Sequence, residues 1–359
     1  MKILHVCEAL DKGGLEEVIY NLVKNTKDDR FDVRVAYFRG GQVAERLADK
    51  GVVSYELAGA TKRERIGKLV ELIKREGFDI VQTHFCFEAI SAAKKCGVKV
   101  IETVHNTYGF FVNPWGKLKY SYYLNKADAI VAVSGAVKDF TEKHFTIFQK
   151  NKCSTIRNSI EPERLVRSSR TPEEIKEELG IPQDATVIST LSRLDVQKGL
   201  EYFIDAARKL NERFEHVAFV IPGEGEAAYT KQLHAYAADL KNVYFIGHIP
   251  NISDLFAIMD IYVMSSLWEG GQLTLLEAMA YEKPIVTTKA GFGAEVIRDG
   301  QSGYVVDIKD ARALAERIWE LLEDEQKRLR MAKEAHRDFY KNFSNDVMIN
   351  SYKQLYMRL

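Results

Sequence analysis

At 359 residues the chain is too long for one typical hydrophobic core and implies two domains. Its 46% hydrophobic and 28% charged residues exclude a disordered or fibrous protein, and a formal net charge of zero gives a nucleic-acid role no overall electrostatic support. The four cysteines (Cys7, Cys86, Cys96, Cys153) form no CxxC pair and no metal-ligand spacing, which suits reduced thiols in a cytosolic protein.

The opening run MKILHVCEAL is too short and too soon interrupted for a signal peptide and reads as a first strand. No apolar stretch approaches the roughly 20 residues that span a bilayer. Strand candidates in the first half are residues 2–7, 32–38, 52–57, 80–84, 99–104, 129–133 and 152–156. In the second half they are 186–191, 216–221, 243–246, 261–264, 284–288 and 303–306. Longer amphipathic segments alternate with them, and several are continuous apolar runs, as in parallel sheets covered on both faces. A polar stretch with Pro162, Pro172 and Pro182 separates the two sets, with a linker near 161–170 and a helix opening at Pro172. The expected organisation is an N-terminal Rossmann-like domain over 1–165, a second over 166–343 and a final helix over 344–359. Doubly wound domains bind ligands at the C-terminal ends of their strands, so the active site is expected in a cleft where those ends face each other.

In DKGGLE, Gly13 and Gly14 lead into a helix near Leu15, where the backbone can approach a diphosphate; the plain alternative is a tight turn with Glu16 at a helix start. Two strand ends carry His84 and His105, and His105, followed by Asn106, is the better candidate to hold a sugar hydroxyl. The segment 107–126 combines aromatic residues with Lys117, Lys119 and Lys126. It reads as a packing helix with a basic edge, or as the lining of an acceptor channel or a membrane contact. Residues 1–165 carry 27 Lys/Arg against 21 Asp/Glu, so the first half is basic and the second acidic. The plain reading is two differently solvated surfaces; the alternative is an anionic acceptor or membrane at the first domain.

In the second half, SRLDVQKG places Arg193 and Lys198 at a strand's end, a pair suited to a diphosphate. PGEGE follows the next strand, with Gly223 and Gly225 able to admit a nucleotide, and GHIPN the one after, where His248 reads as a surface residue. SSLWEGGQLTLLEAMAYEKP is the most informative stretch. Glu269, Gly270, Gly271 and Gln272 form a loop, a helix begins near Leu273, and Glu277 is expected in its first turn. A helix start offers unpartnered N–H groups and a positive dipole end to phosphate, and the two carboxylates can accept bonds from hydroxyls. A phosphate flanked by polyhydroxylated rings uses all of these, and nucleotide-sugars have that shape.

GGLE, SRLDVQKG, PGEG and above all EGGQLTLLEAMAYEKP resemble the retaining glycosyltransferase family 4, whose fold is GT-B: α/β, two Rossmann-like doubly wound domains facing across a cleft, with a C-terminal helix crossing back to the first. The resemblance implies transfer of a hexose-type sugar from a UDP- or GDP-sugar to an acceptor hydroxyl, with no cofactor and no metal. By position, Arg193 and Lys198 hold the diphosphate, Gly13 and Gly14 complete its site, and Glu277 takes the ribose hydroxyls. Glu269 and the N–H groups from Gly270 to Leu273 meet the donor sugar, and His105 contacts it near the reacting face. The acceptor is a glycan, a lipid-linked sugar or a small metabolite, and the expected location is cytoplasmic, with membrane association at the inner face as the further reading. Two departures stand out: Gly271–Gln272 in place of the common Phe or Pro, which bears on sugar choice, and Glu282 and Ser159 at turn positions that often hold Gly. An epimerase of the same fold and a non-catalytic nucleotide-sugar-binding protein are the competing readings.

Overall fold

The computed structural model describes residues 1–59, 61–147 and 149–359. Thirteen strands form, each at an apolar run read from the sequence: β1 (Lys2–Ala9), β2 (Asp32–Arg39), β3 (Ser54–Glu56), β4 (Ile80–His84), β5 (Lys99–Val104), β6 (Ala129–Ala132), β7 (Cys153–Thr155), β8 (Thr186–Ser189), β9 (Val217–Pro222), β10 (Val243–Gly247), β11 (Ile261–Met264), β12 (Ile285–Thr288) and β13 (Tyr304–Val306). They build two sheets, in the orders β3-β2-β1-β4-β5-β6-β7 and β10-β9-β8-β11-β12-β13, and every pairing between them is parallel. Each is a doubly wound Rossmann-like order that reverses direction at its first strand. The reversal falls between β1 and β4 in the first sheet and between β8 and β11 in the second.

The chain divides into two compact units, 1–161 with 345–359, and 162–344. The 3-10 turn Pro162–Leu165 therefore goes with the second unit, four residues before the boundary read from composition. The reason is electrostatic: Arg164 is tied to Glu277, whereas Glu161 is paired with Lys24 of the first helix at 2.8 Å. Within the first unit the last helix, Asn345–Arg358, buries Met348, Ile349, Tyr352 and Tyr356, and Lys353 reaches Asp28 at 2.9 Å. Each unit has its own core of buried aliphatic and aromatic residues, around Leu4, Val81 and Ile130 in one and Ile188, Phe219 and Val263 in the other.

Local chemistry sets the helix ends. Thr61 with Glu64, and Thr171 with Glu174, form reciprocal capping boxes, the second followed by Pro172 at the first helical position. The helix Leu273–Ala280 starts where expected, but Glu277 lies in its second turn. That helix ends with the Lys283 N–H bonded to Ala278 O at 2.9 Å and Glu282 at φ 55°, a left-handed position that costs a residue with a Cβ. Glu282 is exposed, so its side chain contributes little in return. Glu282→Gly is expected to raise unfolding stability by about 0.5–1 kcal/mol in urea titration, with no such gain from Glu282→Ala.

Candidate functional site

In the second unit the loops after four neighbouring strands are joined in one row. The loop after β9 packs directly on the loop after β8: Leu194 N–H bonds to Glu224 O at 2.9 Å, and Leu194 bridges to Gly225. A Cβ at Gly223 or Gly225 would collide with the carbonyl oxygens of Ser192 or Leu194, and Gly223 has φ 108°. Backbone packing between the two loops by itself demands these glycines. Gly223 N–H continues the row to Gly247 O at the end of β10, beyond which His248 is exposed.

At the reversal point the loops after β8 and β11 are zippered. Leu267 N–H bonds to Gln197 O at 2.8 Å and Ser265 Oγ donates to Lys198 O at 2.9 Å. Gly199, at φ 56°, lets Ser265 O come as close as 2.5 Å to where a Cβ would stand. This places Lys198 Nζ 2.7 Å from Glu269 Oε1, with side chains only 12% and 6% exposed. Ser266 Oγ donates to the same carboxylate oxygen at 2.7 Å, and Gln197 Nε2 donates to Trp268 O at 2.8 Å. Ser266 and Gln197 went unnoticed in the sequence because nothing local marks them; only the juxtaposition of the two loops does.

Arg193 is exposed and forms no ion pair or hydrogen bond among the described residues, a cation available to a ligand. Glu277 is fully buried, and its Oε1 receives Nε and Nη2 of Arg164 at 2.8 and 2.7 Å. Gln272 stands at the N-cap of Leu273–Ala280 without capping it. Its amide turns inward, Nε2 donating to Thr274 Oγ1 at 2.8 Å, so the side chain expected beside a donor sugar is engaged in the interior. The first N–H groups of this helix thus lack a side-chain cap next to Gly270, Gly271 and the Lys198–Glu269 pair. The helix dipole and N–H groups without a side-chain cap favour an anion.

The first unit carries the other candidates at its own reversal point. Gly13 is the N-cap of Gly14–Thr26 and Gly14 its first residue. The Glu16 carboxylate folds back against Gly13, and Glu17 pairs with Arg46 at 2.5 Å, so acidic side chains already serve this helix start. His105 lies beyond β5 and is linked inward: its Nε2 is 2.8 Å from His84 Nδ1, and His84 Nε2 is 2.9 Å from His5 Nδ1. His84, read as the weaker histidine, is thus integral to the cluster. Burial lowers the pKa of His5 and His105 to about 3 and that of His84 well below its ordinary value, so the three rings are neutral. On the opposite face of β5, burial pushes Glu102 up to about 8.

The segment read as a packing helix has two faces. In Pro114–Lys126, Tyr120, Tyr123 and Leu124 are buried, and Lys62 Nζ donates to Tyr123 OH at 2.9 Å. Trp115, Leu118 and Tyr122 are 81%, 66% and 54% exposed, with Phe110 beside them at 65%.

Histidines held neutral and a carboxyl held protonated give stability a maximum in pH. Between about pH 4.5 and 6.5 the unfolded chain binds three histidine protons that the native rings refuse, and releases the one Glu102 keeps. These four groups make stability rise with pH across that interval by roughly 2–3 kcal/mol per unit. Above about pH 7 the unfolded histidines have lost most of their protons, Glu102 dominates, and stability falls as pH rises. Urea unfolding of the first unit, followed from pH 4.5 to 8.5, is expected to peak just below pH 7.

Residues 12–164 match the family described as Glycosyltransferase Family 4, and residues 171–338 the family described as Glycosyl transferases group 1. The chain is 26% identical over 315 residues to the N-acetyl-alpha-D-glucosaminyl L-malate synthase of Bacillus anthracis, spanning 84% of this chain and 79% of that protein. It is 22% identical to the UDP-Gal:alpha-D-GlcNAc-diphosphoundecaprenol alpha-1,3-galactosyltransferase of Escherichia coli, over 99% of this chain and 97% of that one. The crystal structure of Anabaena HepE in complex with UDP-glucose superposes with a TM-score of 0.87 at 22% identity, covering 100% of both chains, which establishes a shared GT-B fold.

Proposed function

Because this chain belongs to glycosyltransferase family 4, we propose that it moves a hexose from a nucleoside-diphosphate sugar to an acceptor hydroxyl with retention of anomeric configuration and without a metal. The observation that carries this reading is the uncapped helix start at Leu273 beside the buried Lys198–Glu269 pair, at the reversal point of the second sheet. A relative named for UDP-galactose transfer and a GT-B structure holding UDP-glucose favour a UDP-sugar as donor.

In this mechanism the helix N–H groups, Arg193 and Lys198 stabilise the diphosphate as it departs, an electrostatic contribution that commonly dominates such catalysis. Glu269 holds Lys198 extended and, with the N–H groups from Gly270 to Leu273, receives the sugar. Glu277, fixed by Arg164, accepts ribose hydroxyls. The leaving phosphate oxygen takes the acceptor's proton on the face from which it departs, which preserves configuration and needs no protein nucleophile.

Arg193 is the informative position for mutation. Lys198→Ala strands a buried carboxylate and is expected to cost about 3–5 kcal/mol of stability, confounding its kinetics. Arg193→Ala disturbs no contact, so stability stays within about 0.5 kcal/mol while turnover of the best sugar nucleotide from a thermal-shift screen falls at least about tenfold. Unchanged turnover in this variant rejects the diphosphate assignment. Loss of all wild-type activity in EDTA, restored by a divalent cation, rejects the metal-free one.

The acceptor we favour is borne on an anionic membrane surface. The exposed stripe Trp115, Leu118 and Tyr122 follows i, i+3, i+7 spacing, and residues 103–127 contain Lys117, Lys119 and Lys126 but no Asp or Glu. No helix among the described residues is long and apolar enough to cross a membrane, so the contact is peripheral. Sedimentation with phosphatidylglycerol vesicles is expected to carry the protein down, with little binding to phosphatidylcholine. Trp115→Ala combined with Leu118→Ala should abolish it; equal binding by this variant excludes the stripe.

A further inference from the structure

The three histidines of the first unit form a directional chain whose inner end lies on the last helix. A neutral imidazole has one N–H and one bare nitrogen. In a row of three such rings, every link needs one donor and one acceptor, so all the N–H groups point the same way. The sense is set where the row terminates. His5 Nε2 faces Tyr356 OH at 3.4 Å, and Tyr356 OH also lies 2.5 Å from Gln82 Oε1. Gln82 Nε2 donates to Thr103 Oγ1 at 2.9 Å, which leaves Oε1 as the acceptor of the tyrosine's hydrogen. With that hydrogen committed, the Tyr356 oxygen can only accept from His5 Nε2–H.

The remainder follows by alternation. His5 Nδ1 accepts from His84 Nε2–H, and His84 Nδ1 accepts from His105 Nε2–H. His105 Nδ1 is then a bare acceptor, with no hydrogen bond to the described residues. Gln82, Thr103, His5, His84 and Tyr356 are all buried to 1% exposure or less, so bulk water does not scramble the order. The geometry points to Tyr356 and Gln82 as positioning residues that fix the tautomer of His105, so that Nδ1 accepts a hydrogen bond from a sugar hydroxyl and cannot donate one. This rests on the sugar transfer proposed above. It makes the C-terminal helix part of the site's chemistry through a proton arrangement, and it assigns His105 no acid or base step. Burial, which keeps the rings uncharged, sustains the alternation across the neutral range.

The test is made on the full chain labelled with 15N-histidine, without ligand. Long-range proton–nitrogen correlation is expected to show His105 protonated at Nε2 and bare at Nδ1. Gln82→Leu removes the acceptor of the Tyr356 hydrogen while nearly conserving volume. The tyrosine must then donate to His5 Nε2, the whole row reverses, and His105 becomes protonated at Nδ1. With that reversal, turnover of the sugar nucleotide should fall about tenfold, and Tyr356→Phe, which leaves no group to set the sense, should give mixed His105 tautomers. A wild-type His105 protonated at Nδ1, meaning the Gln82 amide lies the other way, overturns the proposal. So does a His105 signal unmoved in Gln82→Leu, or in Tyr356→Phe should the former not fold. Reversal with unchanged turnover overturns the contact with sugar. A wild-type chain that turns over no sugar nucleotide counts against the proposed reaction instead, a result on which the tautomer signals do not depend.

Discussion

A lysine and a glutamate, 2.7 Å apart and almost wholly enclosed, organise the second unit's strand ends. Two opposite charges out of water are stable only when both are paired and further hydrogen-bonded, and here Ser266 supplies the additional bond. The pair therefore demands that the loops after β8 and β11 stay in register, which the Leu267–Gln197 and Ser265–Lys198 bonds enforce. An ordered lysine and a helix start without a side-chain cap thus stand in fixed relation. Pre-organisation of this kind lowers the entropy lost on binding.

Both units use the same topological solution for different chemistry. In each, the sheet order reverses beside its first strand, and side chains from the two neighbouring strands, or from the loops that follow them, meet there. The second unit fills that position with charge, suited to phosphates. The first fills it with neutral rings, His5 on β1 and His84 on β4, which order a hydrogen-bond sense without carrying charge.

The fold was legible because short β-rich runs alternate with longer amphipathic segments, and several of the thirteen are the continuous apolar runs of parallel strands covered on both faces. Edges were less so: β3 keeps only Ser54–Glu56 of a six-residue run, since an edge strand pairs on one side alone. The charged members of the candidate site, Arg193, Lys198, Glu269 and Glu277, drew notice in the sequence because strand-end loops with cations and a glycine-led helix start have a local pattern. Their partners did not. Arg164 lies 113 positions from Glu277, and Tyr356 lies 274 from Gln82, so only tertiary packing pairs them. Gly223 and Gly225 illustrate the converse. Their pattern was visible, but the packing of a neighbouring loop that also demands glycine there was not.

Hydrogen–deuterium exchange of the intact chain with and without UDP tests the central claim most directly. UDP is expected to slow exchange in residues 192–199 and 269–277, the zippered loops and the helix start. Protection confined to other segments, with these two exchanging as in the free protein, would contradict it.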